Sequence, residues 1–253
     1  MGDRGVLLVT GGSRGIGAAV CRLGARDGYD VVVNYAARKD AAEALVAEIE
    51  AGGGRAVAVR GDVGVEADIL SLFEAADRFG RLAVLVNNAG IVDLPQALAD
   101  MSAARLERMF RVNTIGSMLC AREAVKRMST RRGGAGGAIV NLSSAATKLG
   151  AAGQYVDYAA SKGAIDTFTI GLAKELATEG IRVTAVRPGI IETEIHASGG
   201  LPDRVRDITP SLPMQRPGTA EEVARAVLWL ASEAASYSTG AILDVSGARA
   251  ILP

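Results

Sequence analysis

Tyr158 and Lys162 stand four residues apart in the run Gln154-Tyr155-Val156-Asp157-Tyr158-Ala159-Ala160-Ser161-Lys162-Gly163-Ala164. Apolar and small residues continue through Ile165, Phe168, Ile170, Leu172, Ala173 and Leu176, a spacing that predicts one long helix with a buried face. Residues four apart on a helix are neighbours, so the phenol and the ammonium project from one side. Unperturbed, Tyr titrates near ~10 and Lys near ~10.4, so both keep their protons at neutral pH. A cation about 4 Å from a phenolate, at an effective dielectric near ~20, stabilises it by roughly 4 kcal/mol, or about three pKa units. Such a tyrosine can act as a general acid–base near neutrality. Tyr155 is an internal control, because the residue four beyond it is Ala159. The same pair also arises with the lysine in solvent and the tyrosine half-buried, so the chemistry depends on what lies upstream.

The elements that must position this pair read as strands alternating with helices. Continuous apolar runs at Val6–Val9, Val31–Asn34, Ala56–Val59, Leu82–Val86, Ala138–Leu142, Ile181–Val186 and Ala241–Asp244 predict seven strands. Helical patterns separate them, the longest before Tyr158 running from about Ala103 to Met128, and another covering Glu221 to Ala231. Unbroken apolar strands suit a sheet covered by helices on both faces. The Gly-rich stretch from Arg131 to Gly137 reads as a surface turn rather than a linker, because a strand follows directly. One α/β domain over residues 1–253 is the expectation, with a mostly parallel, doubly wound seven-stranded sheet.

Gly11, Ser13, Arg14, Gly15, Ile16 and Gly17 lie in the turn between the first strand and the first helix. In a dinucleotide fold that turn takes the pyrophosphate: glycines let the backbone approach, and the helix start offers N–H groups and a positive dipole end. The spacing is G-x-x-x-G-x-G, and no Gly-Lys-Ser/Thr follows, so a Walker loop is excluded. At the end of the second strand an acidic residue would hold the ribose 2′-hydroxyl of NAD. Here Asn34, Tyr35, Ala36, Ala37 and Arg38 stand instead, and Arg14 and Arg38 could pair with a 2′-phosphate. NADP is favoured and NAD remains possible. The alternative for Arg38 is an ordinary solvated charge at a helix start.

Composition narrows the partners. Lys plus Arg and Asp plus Glu number 28 each in 253 residues, leaving no basic surplus for nucleic acid or an anionic membrane. Hydrophobic residues at 49% support a sizeable core. Cys21 and Cys120 are far apart in helical patterns and read as buried reduced thiols, which suits a cytoplasmic protein. The N-terminal residues lack the length of a signal peptide, and no apolar run reaches the ~20 residues of a membrane span. His196 is the sole histidine and has no partners for a metal site.

Together, Thr10-Gly11-Gly12-Ser13-Arg14-Gly15-Ile16-Gly17, Asn87-Asn88-Ala89-Gly90, Asn113, Ser143, Tyr158-x-x-x-Lys162 and Pro188-Gly189 resemble the single-domain short-chain dehydrogenases/reductases, in order and over essentially the whole chain. The likeness is greatest to the branch of 3-oxoacyl-carrier-protein reductases and glucose 1-dehydrogenases. It implies a three-layer Rossmann fold and NAD(P)-dependent interconversion of an alcohol and a carbonyl compound. It further implies that Tyr158 exchanges the proton, Lys162 lowers its pKa and binds the nicotinamide ribose, Ser143 polarises the carbonyl, and Asn113 holds a water linked to Lys162. Asn88, Ala89 and Gly90 would line the adenosine side, Asp62 and Val63 the adenine, and Pro188, Gly189, Ile191 and Thr193 the nicotinamide end. A homotetramer or a dimer is implied as well.

Independently of the family, Ser143 and Tyr158 fall at the carboxyl ends of adjacent elements, where open α/β sheets bind ligands. Two hydroxyls converging on one oxygen stabilise the charge that develops as hydride moves. Ser144 is the rival for the serine role, and Asn113 could instead bond only to backbone. The segment 190–219 is long enough for a substrate-binding loop or lid, with Met214 and Gln154 as pocket residues. The C-terminal run Leu243-Asp244-Val245-Ser246-Gly247-Ala248 departs from the Val-Asp-Gly-Gly ending of many relatives, which touches subunit contacts rather than chemistry. A regulatory nucleotide-binding protein without turnover is the alternative; it would not need Ser143, Tyr158 and Lys162, and all three are present.

Overall fold

Alternate residues of a short apolar strand point to opposite faces, and here both faces are covered. Leu7 and Val9 enter one apolar core while Val6 and Leu8 enter the other. The computed structural model describes residues 4–194 and 199–250. Strands β1 (Val6–Val9), β2 (Asp30–Tyr35), β3 (Arg55–Arg60), β4 (Leu82–Asn87), β5 (Gly137–Leu142), β6 (Ile181–Pro188) and β7 (Ile242–Val245) form one sheet. Its order is β3-β2-β1-β4-β5-β6-β7, and every pairing is parallel, where the sequence predicted a mostly parallel sheet.

The helices are α1 (Gly15–Arg26), α2 (Lys39–Ala51), α3 (Glu66–Phe79), α4 (Ala103–Phe110), α5 (Ser117–Met128), α6 (Ala146–Leu149), α7 (Val156–Glu175), α8 (Arg204–Ile208) and α9 (Ala220–Ala231). α1, α2 and α9 bury Val20, Leu45 and Val227 against one face, and α3, α5 and α7 bury Phe73, Met128 and Ala173 against the other. Each fully buried Leu, Phe or Met contributes roughly 1.5–3 kcal/mol, so the sheet forms a firm platform for whatever its edges carry. Thr219 starts α9 with a capping box: its hydroxyl accepts from Glu222 N–H, and the Glu222 carboxylate accepts from Thr219 N–H.

Three local expectations are corrected. The helix predicted from Ala103 to Met128 is interrupted at Arg111–Gly116 by π-helical turns. Gly116 lies there against the Val63 carbonyl, where a β-carbon would be 2.5 Å from the oxygen. Ile170, read as part of the buried face of α7, is exposed. The segment after β6 is not wholly irregular, because Ile191 pairs in a parallel bridge with Gly218 and α8 forms between them. His196 lies outside the described residues. Cys21 and Cys120 are buried and unpaired, and burial pushes the Cys120 thiol up to about 12. Among the described residues no helix is long and apolar enough to cross a membrane.

Candidate active site

β1 has β2 on one side and β4 on the other, so the chain leaves their carboxyl ends in opposite directions and a crevice opens there. The glycine turn lies in it. Gly11 and Gly15 adopt φ +60° and +53°, which side chains rarely tolerate. A β-carbon on Gly17 would stand 2.5 Å from Gly11 O and 2.6 Å from Asn88 Nδ2. The turn is fixed from both sides. Gly11 N–H donates to Asn34 Oδ1 at 3.1 Å, and Asn34 Nδ2 donates to Gly61 O at 2.9 Å. Asn88 Nδ2 donates to Thr10 O and Gly11 O, both at 2.9 Å. Arg14 precedes α1 in extended conformation and provides no side-chain cap. The positive end of the helix is thus left to a ligand, and the turn fits a dinucleotide pyrophosphate.

From this turn a cleft of about 1630 Å³, partly open to solvent, runs past Tyr35, Asp62, Val63 and Ala89. Arg14, Arg38 and Arg108 line it, each beside a carboxylate. Arg14 Nη1 meets Glu194 Oε2 at 3.1 Å, and Arg38 donates to both Asp40 oxygens at 3.1 and 3.0 Å. These pairs are exposed, so they cost little to exchange for another anion.

At Ile16, Gly90 and Thr193 the cleft continues into a second cavity of about 970 Å³. Ser143, Ser144, Tyr158 and Lys162 line it, together with Pro188, Gly189 and Ile191. Lys162 is buried, and its Nζ donates to Leu142 O at 2.7 Å and lies 5.9 Å from the Tyr158 ring centre. Burial brings the Lys162 ammonium down to about 8, with the Asp166 charge acting against that fall. Burial raises the Tyr158 phenol above its ordinary value, and a hydrogen bond with the Ser144 hydroxyl opposes the rise. The sequence predicted a phenol lowered by a lysine about 4 Å away. Here the ammonium is turned to the Leu142 carbonyl instead, so desolvation outweighs its charge.

Polar contacts behind the cavity hold this wall. The buried Arg105–Asp157 pair joins α4 to the first turn of α7 at 2.8 Å, one residue before Tyr158. Asn87 Nδ2 donates to Asn141 Oδ1 at 2.9 Å, and Asn141 Nδ2 donates to Thr169 Oγ1 at 2.9 Å, linking β4, β5 and α7.

A family model described as "Enoyl-(Acyl carrier protein) reductase" matches residues 11–247. The chain is 51% identical over 245 residues to "Uncharacterized oxidoreductase YgfF" of Escherichia coli, covering 96% of this chain and 99% of that one. Among solved structures, a short-chain dehydrogenase/reductase of Serratia marcescens superposes with TM-score 0.89 at 33% identity, over 98% of this chain and 99% of the other. A blue fluorescent protein from a metagenomic library, solved with NADPH, gives TM-score 0.89 at 36% identity over the same shares. The chain belongs to the short-chain dehydrogenases/reductases. It is an NAD(P)-dependent oxidoreductase.

In this dehydrogenase/reductase the predicted site residues separate into three groups. Gly11, Ser13, Arg14, Gly15, Ile16, Asn34, Tyr35, Asp62, Val63, Asn88, Ala89, Gly90 and Thr193 line the dinucleotide cleft. Ser143, Tyr158, Lys162, Pro188, Gly189 and Ile191 line the neighbouring cavity. Gly17 and Asn113 line neither. Asn113 sits fully buried in the π-helical stretch, accepting from Ile91 N–H at 2.7 Å and donating to Ile91 O at 3.0 Å. Its Nδ2 also donates to Ser161 Oγ at 3.2 Å, and Gly90 lies between it and Lys162, since a β-carbon there would be 3.4 Å from both Asn113 Oδ1 and Lys162 Nζ.

Met214 and Gln154 do not line the cavity: Met214 packs near Gly247, and Gln154 Oε1 accepts from Arg204 at 2.7 Å. Three polar cavity residues escaped the sequence. Tyr155, without a lysine partner, lines it and donates to Gly199 O at 3.2 Å, while Arg204 and Arg249 reach it from α8 and from beyond β7. Their local spacing carries no signal.

Proposed function

We propose that this enzyme prefers NADP(H) and interconverts an alcohol and a ketone or aldehyde, using Tyr158, Lys162, Ser143 and Asn113. The observation that carries the reading is the continuity of the two clefts, which puts Tyr158, Lys162 and both serines directly beyond the glycine turn. The bound nicotinamide supplies or accepts the hydride.

Tyr158 keeps its proton in the resting site, since burial raises it, and so donates a hydrogen bond to the substrate oxygen. In the reducing direction negative charge grows on that oxygen. An alkoxide is more basic than a phenolate, so the proton passes from Tyr158 Oη to it. Lys162, near 8, is largely charged at neutral pH; its ammonium stabilises the phenolate left behind. Ser143 steadies the oxygen as charge develops, and the hydrogen bond between Ser144 and Tyr158 makes Ser144 the competing hydroxyl. Asn113 fixes the Ile91 backbone beside Gly90 and so shapes the rim between the clefts.

Arg14 and Arg38 support NADP, because each can exchange its exposed carboxylate for a 2′-phosphate. NADPH oxidation with a panel of ketones and aldehydes tests the reading. Tyr158→Phe is expected to lower kcat by roughly a hundred- to ten-thousandfold while the variant still titrates with NADPH. Near-normal turnover in that variant would sink the assignment.

A further inference from the structure

Among the described residues, the cavity that holds Tyr158 is charged in one sense only: Lys162, Arg204 and Arg249 line it, and no aspartate or glutamate does. Nearby cations are neutralised: Arg187 pairs with Asp166 at 2.8 Å, Lys148 with Asp244 at 2.7 Å, and Arg105 with Asp157. The two cavity arginines are not. Arg204 donates to the neutral amide of Gln154 and lies 5.2 Å from the Tyr155 ring centre. Among the described residues, no carboxylate pairs with Arg204, and the Arg249 guanidinium has neither ion pair nor hydrogen-bond acceptor. Arg249 is half-buried, and its guanidinium is pulled below its ordinary value by burial and by the charge of Arg204. Two like charges lining one cavity are unfavourable until an anion enters between them.

That anion is not part of the cofactor. Neither arginine lines the dinucleotide cleft, and the pyrophosphate site at α1 lies on the other side of Ile16. The rest of the lining includes small and apolar residues, among them Ala145, Ala146, Ala151 and Ile190.

We propose that the substrate is a carbonyl or alcohol compound with a short apolar body and an oxyanion, carboxylate or phosphate, clamped by Arg204 and Arg249 while its reacting oxygen faces Tyr158. The inference rests on the oxidoreductase reading above and adds the substrate class. A planar guanidinium matches both oxyanions through paired N–H groups. Arg204 belongs to α8, within the segment between Ile191 and Gly218, and Arg249 follows β7, so one anion would tie the two parts together.

Matched pairs test it with NADPH: 4-oxopentanoate against its methyl ester, and dihydroxyacetone phosphate against dihydroxyacetone. The charged member of at least one pair should exceed its neutral partner in kcat/KM by on the order of ten- to a hundredfold. Arg249→Gln should remove most of that ratio, and Arg249→Lys should keep part of it. An advantage for the acid alone identifies a carboxylate, and one for the phosphate alone identifies a phosphate. Equal efficiency within both pairs, or a ratio that survives both Arg249→Gln and Arg204→Gln, overturns the clamp and leaves the redox reading standing. Calorimetric titration of the NADP⁺-loaded enzyme with 4-oxopentanoate and with inorganic phosphate separates the two failures. Binding that Arg249→Gln abolishes supports the clamp even without turnover, whereas no binding of either probe, alongside turnover of neutral carbonyls, refutes it.

Discussion

The dinucleotide cleft and the cavity beside it meet at Ile16, Gly90 and Thr193, yet they are made of different material. The cleft is largely backbone. Gly11, Gly15 and Gly17 let the chain come close, and Asn34 and Asn88 spend their side chains on main-chain groups. The cavity is largely side chain: Ser143, Ser144, Tyr158, Lys162, Arg204 and Arg249 arrive from the turn after β5, from α7, from α8 and from the chain after β7. A backbone-built site tolerates truncation of its outer side chains and fails on added bulk. A side-chain-built site should show the reverse, because its groups are held by partners at long sequence separation.

Four substitutions sharpen or break that contrast. Arg105→Ala should have the largest effect, leaving the buried Asp157 carboxylate without its cation at the start of α7. The expected cost is about 3–5 kcal/mol, read as a lower denaturation midpoint together with loss of turnover. Lys162→Met tests the buried charge by its pH dependence. Lys162 titrates near 8 in the fold, below its ordinary ~10.4. Between those values the unfolded chain holds more protons, so this group's contribution to stability rises with pH and is unfavourable below 8. Wild-type minus variant unfolding free energy should climb by up to roughly 3 kcal/mol over that window, as denaturant titrations at several pH values would show. A flat difference would mean that the ammonium is solvated.

In the cleft, Gly17→Ala pushes a methyl group against Gly11 O. It should cost about 2 kcal/mol and weaken NADPH binding, followed by cofactor fluorescence. Arg38→Ala removes an exposed side chain and should do least, reducing the kcat/KM ratio of NADPH to NADH by about tenfold. If Gly17→Ala proved harmless while Arg38→Ala abolished cofactor binding, the backbone account of the cleft would be wrong.

The same contrast explains which parts could be read from the chain. Seven apolar runs alternating with helices dictated the layered α/β architecture, because parallel strands buried on both faces must be apolar throughout. The glycine turn was legible for a similar reason: only glycine fits where φ is positive and backbone meets backbone, so the requirement is written at fixed spacing. Tyr158 and Lys162 were legible as a pair because a helix makes residues four apart neighbours. Folding alone decided how that pair is poised. The Leu142 carbonyl holds the Lys162 ammonium, and burial acts on each group separately, so proximity along the helix did not produce the lowered phenol that spacing predicted. The π-helical turns around Asn113, where Gly116 packs against the Val63 carbonyl, are not marked by any local pattern. Arg204 and Arg249 are ordinary surface-type residues until α8 and the chain after β7 bring both to one cavity. Periodicity and steric necessity are local and appear in the sequence; desolvation and the meeting of distant charges exist only once the chain has closed on itself.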